Sequence, residues 1–353
     1  MKFIHTSDIR INATPDAEFE WGEKRKEELE ECFLYLISEC NTKDIDLLII
    51  AGNLFNEPPT EEMLQWVDEQ LFGLIKARTI ILPGYLDYAE VGSPAAGYVF
   101  ESRTVMLPGG KTTNAYLKGI NTCVTGYGYD KPIIKEDVLG RIDPGRKDAV
   151  NILLGCGGDR LHMPYKKEDI ARKGFDYVAL GGRTKAAHIL KNRLAYSGCP
   201  EPIEPEEQGR KGYIMGEVTD EGTKIQWVPS NKRSYIDLNI TLTPELTADA
   251  VVNKLEEMLM KLGNENIYTI IFKGFADDDF YPNLNRIKER FMIRGVENLT
   301  INTRDEAKLR EENEANLIGS FVREISDSYT IDENIRNKAM RYGLEALIMS
   351  GEE

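Results

Sequence analysis

Histidine is nearly absent from this chain: its 353 residues include three, His5, His162 and His188. That count limits any imidazole-rich metal site. Cysteine is scarce as well, with five residues (Cys32, Cys40, Cys123, Cys156, Cys199) in odd number and no Cys-x-x-Cys pair. Such a scattered set reads as reduced thiols and not as a disulfide framework. The longest apolar runs have five to seven residues, against the roughly 20 that a membrane span needs. No membrane partner is expected. The opening residues turn polar within six positions and show no apolar stretch followed by a small-residue cleavage site, so the expected location is cytoplasmic. Positive charge is in deficit: 44 basic residues face 59 acidic ones, a balance of −15. That field repels a polyanion wherever local basic patches do not overcome it, so tight autonomous DNA binding is not expected.

What remains is an ordinary globular composition, 41% apolar and 29% charged, in a chain long enough for two domains at roughly 150 residues each. The first half alternates short β-rich runs with amphipathic segments, the pattern of a layered α/β fold. Strands are expected at 2–5, 45–51, 79–82, 122–126, 150–154 and 177–180. Helices are expected at 23–41, where Leu29, Phe33, Leu36, Ile37 and Cys40 form the buried stripe, and at 61–76 behind a Thr60 cap. After Tyr196, the prolines Pro200, Pro202 and Pro205 among glutamates mark a connecting loop, and 213–218 with 224–228 read as a hairpin. A second unit begins near 235: strand 235–241, helix 244–262 started by Thr243-Pro244, strand 267–273, helix 281–292, strand 298–302. Residues 304–353 read as a helical acidic tail with two apolar stripes, one carrying Leu317, Phe321 and Val322.

In an open α/β sheet, ligands bind beyond the carboxyl ends of the strands. The residues there are Thr6-Ser-Asp-Ile-Arg10, Gly52-Asn-Leu-Phe-Asn56, Pro83-Gly-Tyr-Leu-Asp87, Gly155-Cys-Gly-Gly158 and Gly181-Gly-Arg-Thr184. These five loops are expected to converge on one pocket. Their order and spacing resemble the calcineurin-like metallophosphoesterases, whose loops carry Asp-x-His, Gly-Asp-x-x-Asp, Gly-Asn-His-Asp/Glu, a lone His, and Gly-His-x-His. The SbcD-type DNA repair exonuclease subunit is the nearest pattern. Its likeness lies in the opening Met-Lys-Phe-Ile-His-Thr-Ser-Asp, in Asp46-Leu-Leu-Ile-Ile-Ala-Gly-Asn-Leu-Phe, in Phe175-Asp-Tyr-Val-Ala-Leu-Gly, and in Ala195-Tyr-Ser-Gly-Cys-Pro-Glu-Pro followed by Lys211-Gly-Tyr. Asn316-Leu-Ile-Gly-Ser-Phe and Tyr342-Gly-Leu-Glu-Ala-Leu are similar to its YhaO-like branch.

The resemblance implies an α/β fold: a two-layer phosphoesterase sandwich of mixed sheets flanked by helices over 1–230, a small α/β cap over 235–303, and the helical tail over 304–353. It also implies a chemistry that needs two metal ions roughly 3.5–4 Å apart. Of the principal ligand positions only Asp8 keeps its residue. The Asp-x-His histidine is Arg10, the metal-bridging aspartate is Asn53, a further motif aspartate is Asn56, and the Asn-His pair is Tyr85-Leu86. The lone histidine is Cys156, and Gly182 and Thr184, flanking Arg183, stand for the last two. Asp87 keeps an acidic position. One carboxylate, an amide and a thiol cannot offset the repulsion of two dications. The expectation is a degenerate pocket with no metal and no catalytic residue, in which Arg10 pairs with Asp8 or Asp87 and replaces metal charge.

The family also implies partners: an SbcC-like ATPase with a coiled coil, a second copy in a homodimer, and DNA only through the complex. The tail stripes read most simply as helices packed on their own domain; in the alternative they dock onto the ATPase, with Leu317, Phe321 and Val322 as the contacts. The alternative is an active DNA exonuclease or phosphodiesterase with an atypical site, in which case manganese is the cofactor. Cys156 has no neighbouring base to make it a nucleophile, and Gly155-Cys-Gly-Gly lacks the spacing of a phosphate loop, leaving a turn. Arg183 and Lys185 stand at the pocket mouth, either as an anion site or as a solvated loop.

Overall fold

The computed structural model describes residues 1–243, 246–276, 280, 282–302, 305–328 and 332–350. The chain divides into two compact units, Met1–Ser234 and Tyr235–Glu353. The first contains, in order, β1 (Lys2–Thr6), α1 (Gly22–Thr42), β2 (Leu47–Ile50), α2 (Glu61–Leu71), β3 (Arg78–Ile81), α3 (Pro94–Gly97), β4 (Thr104–Met106), β5 (Thr112–Leu117), β6 (Thr122–Tyr127) and β7 (Val150–Cys156). It continues with α4 (Lys167–Ala171), β8 (Tyr177–Gly181), β9 (Ala187–Leu190), β10 (Leu194–Tyr196), β11 (Gly212–Thr219) and β12 (Gly222–Pro229). These strands form two sheets, ordered β12-β11-β1-β2-β3-β4 and β5-β6-β7-β8-β10-β9. The fold is a mixed α/β sandwich of phosphoesterase type.

Period-two alternation explains the layering. Phe3, Leu47, Ile49 and Ile80 join Val124, Ile152, Leu154 and Tyr177 in one buried cluster that takes residues from both sheets. Their neighbours Ile4, Leu48, Ile50 and Ile81 point the opposite way, onto Phe33, Leu36 and Ile37 of α1 and Leu64, Val67 and Leu71 of α2. Strands packed on both faces read as continuous apolar runs, as 45–51 does. Each such side chain contributes roughly 1.5–3 kcal/mol by leaving water. Thr60 caps α2, its hydroxyl accepting from the Met63 amide at 3.3 Å. The helix is shorter than the expected 61–76: it ends at Leu71, the chain turns through Gly73, and Ile75 is 75% exposed. The hairpin appears as β11 and β12, and β11 pairs antiparallel with β1.

The second unit holds β13 (Tyr235–Leu242), α5 (Ala248–Leu262), β14 (Ile267–Gly274), α6 (Asn285–Lys288), β15 (Met292–Asn298), α7 (Glu306–Glu312), α8 (Leu317–Ser326) and α9 (Glu333–Ser350). Its three strands are parallel. Val251, Leu255 and Leu259 of α5 pack on Leu238, Ile240 and Ile270. The helix starts later than expected, with Thr247 accepting from the Ala250 amide; Pro244 lies outside the described residues. The expected helix at 281–292 is also corrected. It is a single turn, α6, because Met292 and Ile293 pair with Ile267 and Tyr268 and the edge strand begins there, earlier than 298; residue 281 lies outside the described residues.

The tail packs two of the three residues named for a partner contact within its own unit. Val322 is fully buried with Phe275, Leu309, Met340 and Leu344, and Phe321 packs against that cluster. A Cβ on Gly343 would lie 2.0 Å from the Phe321 ring, so this aromatic sits directly on the α9 backbone. Amphipathic helices with no other apolar surface to cover bury their stripe within their own unit. Leu317 alone of the three is open, 69% exposed. Among the described residues no helix is long and apolar enough to cross a membrane.

Candidate functional site

The five loops do converge. Two of them leave their strands through left-handed backbone, with φ of 54° at Asp8 and 56° at Arg10 in the first and 53° at Asn53 in the second. Asp and Asn tolerate that region through short polar side chains, whereas an arginine there is strained by about 1 kcal/mol or more.

Asp8 is the centre. One carboxylate oxygen, Oδ1, accepts from Asn53 Nδ2 at 2.7 Å. The other, Oδ2, accepts from the Ser7 hydroxyl at 2.7 Å and from the Gly182 amide, on the opposite sheet, at 2.8 Å. Burial raises the Asp8 pKa above its ordinary value, and the hydrogen bonds from Ser7, Asn53 and Gly182 oppose that rise. Asn53 completes the lattice: its Oδ1 accepts from the Leu86 amide at 3.1 Å, while its own amide donates to Asp87 at 3.1 Å. Asp87 also takes the amides of Gly84 and Phe55, and burial pushes its carboxyl up to about 6 against those bonds. An Asn in the bridging position therefore supplies N–H groups where an aspartate would supply oxygens.

Arg10 turns away from this centre, which corrects the expectation that it pairs with Asp8 or Asp87. Its Nε donates to Asn56 Oδ1 at 2.9 Å, Nη2 to Glu204 at 2.9 Å, and Nη1 to Glu207 at 3.2 Å. Burial alone would lower the Arg10 pKa, but the Glu204 hydrogen bond and the charges of Glu207, Glu204 and Asp8 hold it above its ordinary value. The guanidinium fixes the proline-rich loop after β10, and no sequence motif marked Glu204 and Glu207. The run of glutamates between prolines was the available signal, since a buried strand-end arginine needs acids. Arg10→Ala is expected to lower stability by ~1–3 kcal/mol, because Glu207 is 8% exposed and loses its charged partner while Glu204 is largely in water. Urea denaturation of the variant measures this; an unchanged midpoint would mean the loop is held without Arg10.

Tyr85 spans from the third loop to the fifth, its hydroxyl donating to the Gly182 carbonyl at 3.4 Å and its ring lying 4.2 Å from that of His162. Leu86 offers only its backbone to the site. Cys156 is fully buried, and its sulfur would meet a Gly52 Cβ at 2.6 Å. Burial first, then the nearby Asp8 and Asp87 charges, raise its thiol pKa well above the ordinary value, which disfavours the thiolate that a nucleophile needs. Thr184 contributes its carbonyl to Cys199 and Lys211 and does not reach Asp8 through any hydrogen bond. Arg183 lies over the Tyr196 ring, 4.5 Å from its centroid, at the rim.

The donor set does not fit a pair of divalent cations. Asp8 has both oxygens engaged, Asn53 presents an amide beside it, Asp87 is occupied by three backbone amides, and Arg10 is neutralised elsewhere. Among the described residues, no group of three or more His, Cys, Asp or Glu side chains is arranged to hold a metal ion.

No protein-family model matches the chain. It is similar to an uncharacterized metallophosphoesterase, YhaO of Bacillus subtilis strain 168, at 20% identity over 315 residues, covering 79% of this chain and 73% of that relative. That likeness supports the metallophosphoesterase superfamily. The strand-end geometry is consistent with a phosphoesterase-like scaffold.

Proposed function

We propose that this chain is a catalytically degenerate, SbcD-like phosphoesterase subunit, acting as scaffold for an SbcC-like ATPase with a coiled coil. It hydrolyses nothing itself, carries no catalytic metal, assembles as a homodimer and meets DNA only through the complex. One observation carries the reading: three of the roughly four acceptor sites of the Asp8 carboxylate are taken from inside the protein, by Asn53, Ser7 and Gly182. Only one acceptor site, on Oδ1, is left over, so bridging two cations through this carboxylate would break buried bonds worth about 1–3 kcal/mol each. The partner follows from the SbcD-like segments of the sequence and from the −15 charge, which opposes solitary capture of a polyanion.

The test uses the full chain, alone and co-purified from its native host with the ATPase. With manganese present, DNA ends and a chromogenic phosphodiester are expected to stay intact with the chain alone, and duplex DNA is retained only by the complex. Cleavage by the isolated chain that disappears in Asp8→Ala would overturn the proposal, as would tight, salt-resistant DNA binding without a partner.

A further inference from the structure

Helix α9 is apolar on two sides. One side is used inside its own unit: Met340 and Leu344 are 2% and 0% exposed in the cluster around Val322, and Phe321 of α8 lies against Gly343. A helix that buries one stripe ordinarily turns a polar face to water. On the outer side of α9, however, Ile335 and Tyr342 stand 61% and 57% exposed, with Ala339 half-buried between them and Ala346 exposed beyond. Positions 335, 339, 342 and 346 follow the d-a-d-a spacing of a coiled-coil seam over about three turns. Arg341 lies on the Tyr342 ring, 4.7 Å from its centroid, which restricts that side chain before anything meets it.

This seam is complementary to itself. A two-fold axis midway between Ala339 and Tyr342 lays a second α9 antiparallel to the first, with Ala339 opposite the second copy's Tyr342 and Ile335 opposite its Ala346. Every large side chain then meets a methyl group. Parallel helices would set Tyr342 on Tyr342 and alanine on alanine, crowding one layer and leaving the next empty. Charge follows the same axis. Lys338 and Glu345 are exposed on one flank of the seam, and at about 10 Å along the helix they are too far apart to pair with each other. The antiparallel axis brings Lys338 of each helix beside Glu345 of the other, and an isologous contact makes that pair twice.

We propose that α9 is a self-association surface, on which α9 of a second copy of this chain packs antiparallel. The pairing rests on the homodimer already proposed and names the face through which the copies meet. Three turns of helix bury less than the ~1,200 Å² of a standard interface, so the dimer dissociates at micromolar concentration.

Sedimentation equilibrium of the full chain from about 1 to about 500 μM tests it. The unmodified chain is expected to pass from monomer to dimer in that range, and Tyr342→Glu to raise the dissociation constant about tenfold or more. Lys338→Glu and Glu345→Lys should each weaken association about three- to tenfold, more at low salt. The chain carrying both exchanges restores each pair with its signs reversed and should return to within about twofold of the unmodified chain. Mixing the two singly changed chains should give a heterodimer tighter than either homodimer, one chain offering two acids and the other two bases. These side chains are exposed, so the melting temperature of the dilute monomers should not change, which separates lost pairing from lost folding. A dimer with the same constant in every variant would overturn the assignment to α9 and leave the homodimer standing, whereas a chain monomeric throughout would overturn both. Weakening by the single charge exchanges without recovery in the double variant would also overturn it, because the antiparallel axis is what joins 338 to 345. Loss of the co-purifying ATPase in Tyr342→Glu, with self-association unchanged, would give the stripe to that partner instead.

Discussion

Glu28→Ala is expected to lower the stability of the N-terminal unit by ~3–5 kcal/mol, the largest single loss foreseen for this chain. Glu28 is 4% exposed on α1 and holds two arginines: Arg25 at 2.6 Å and Arg233 at 2.6 Å. Arg25, itself fully buried, also pairs with Glu201 at 3.0 Å and donates to the Pro202 carbonyl at 2.6 Å. The network thereby ties α1 to the loop after β10 and to the segment that ends the unit. Removing one carboxylate from two arginines and two glutamates leaves excess buried positive charge, which is why the loss exceeds that of a surface pair. Burial pushes the Glu28 pKa up, but Arg233 and Arg25 outweigh it, and the net position is below the ordinary 4.5. A depressed carboxyl contributes stability that is fully present above 4.5 and is lost as pH falls through the folded-state value. The gap between the unmodified chain and Glu28→Gln in urea denaturation should therefore be constant at neutral pH and close below about 4.5. A gap that widens on acidification, or a loss under about 1 kcal/mol, would mean the charges are solvated.

Asn53→Asp comes next, with an expected loss of ~2–4 kcal/mol at neutral pH. The substitution restores the residue type that a metal-bridging position requires and, in this chain, sets a second carboxylate 2.7 Å from Asp8. Two carboxylates at that distance cannot both ionise without a cation between them. The pair then takes up a proton on folding, so its folded-state pKa lies above the unfolded one. The penalty is greatest at neutral pH and shrinks as pH falls toward that raised value. Manganese is expected not to rescue the variant, because Arg10, Tyr85, Leu86, Gly182 and Thr184 supply none of the other ligands. Rescue measured as a manganese-dependent rise in melting temperature would show that the scaffold still offers a metal site.

The sequence made the site's location legible because strand ends are simple to find: a continuous apolar run such as 45–51 ends at Gly52, and the polar residues after it must face the pocket. It did not show where Arg10 points, since its acids come from a loop nearly 200 positions away and no local pattern links them. Strands β4, β5, β9 and β10 escaped notice because they are short or lie at sheet edges, where alternation is weak and half-exposed. The helix expected at 281–292 failed for a related reason. Parallel pairing of Met292 and Ile293 with β14 starts a strand where the helix was expected to end, and periodicity does not register such pairing. The two tail stripes were correctly apolar, but periodicity cannot say whether a partner or the chain itself covers them; Phe275 and Gly343 answer that for Val322 and Phe321.

The central claim is that internal hydrogen bonds have taken the place of metal ligation around Asp8. Equilibrium dialysis of the purified full chain against manganese, followed by elemental analysis, tests it most directly. The account predicts substoichiometric metal that is unchanged by Asp8→Ala; two manganese ions per chain, lost in Asp8→Ala, would contradict it.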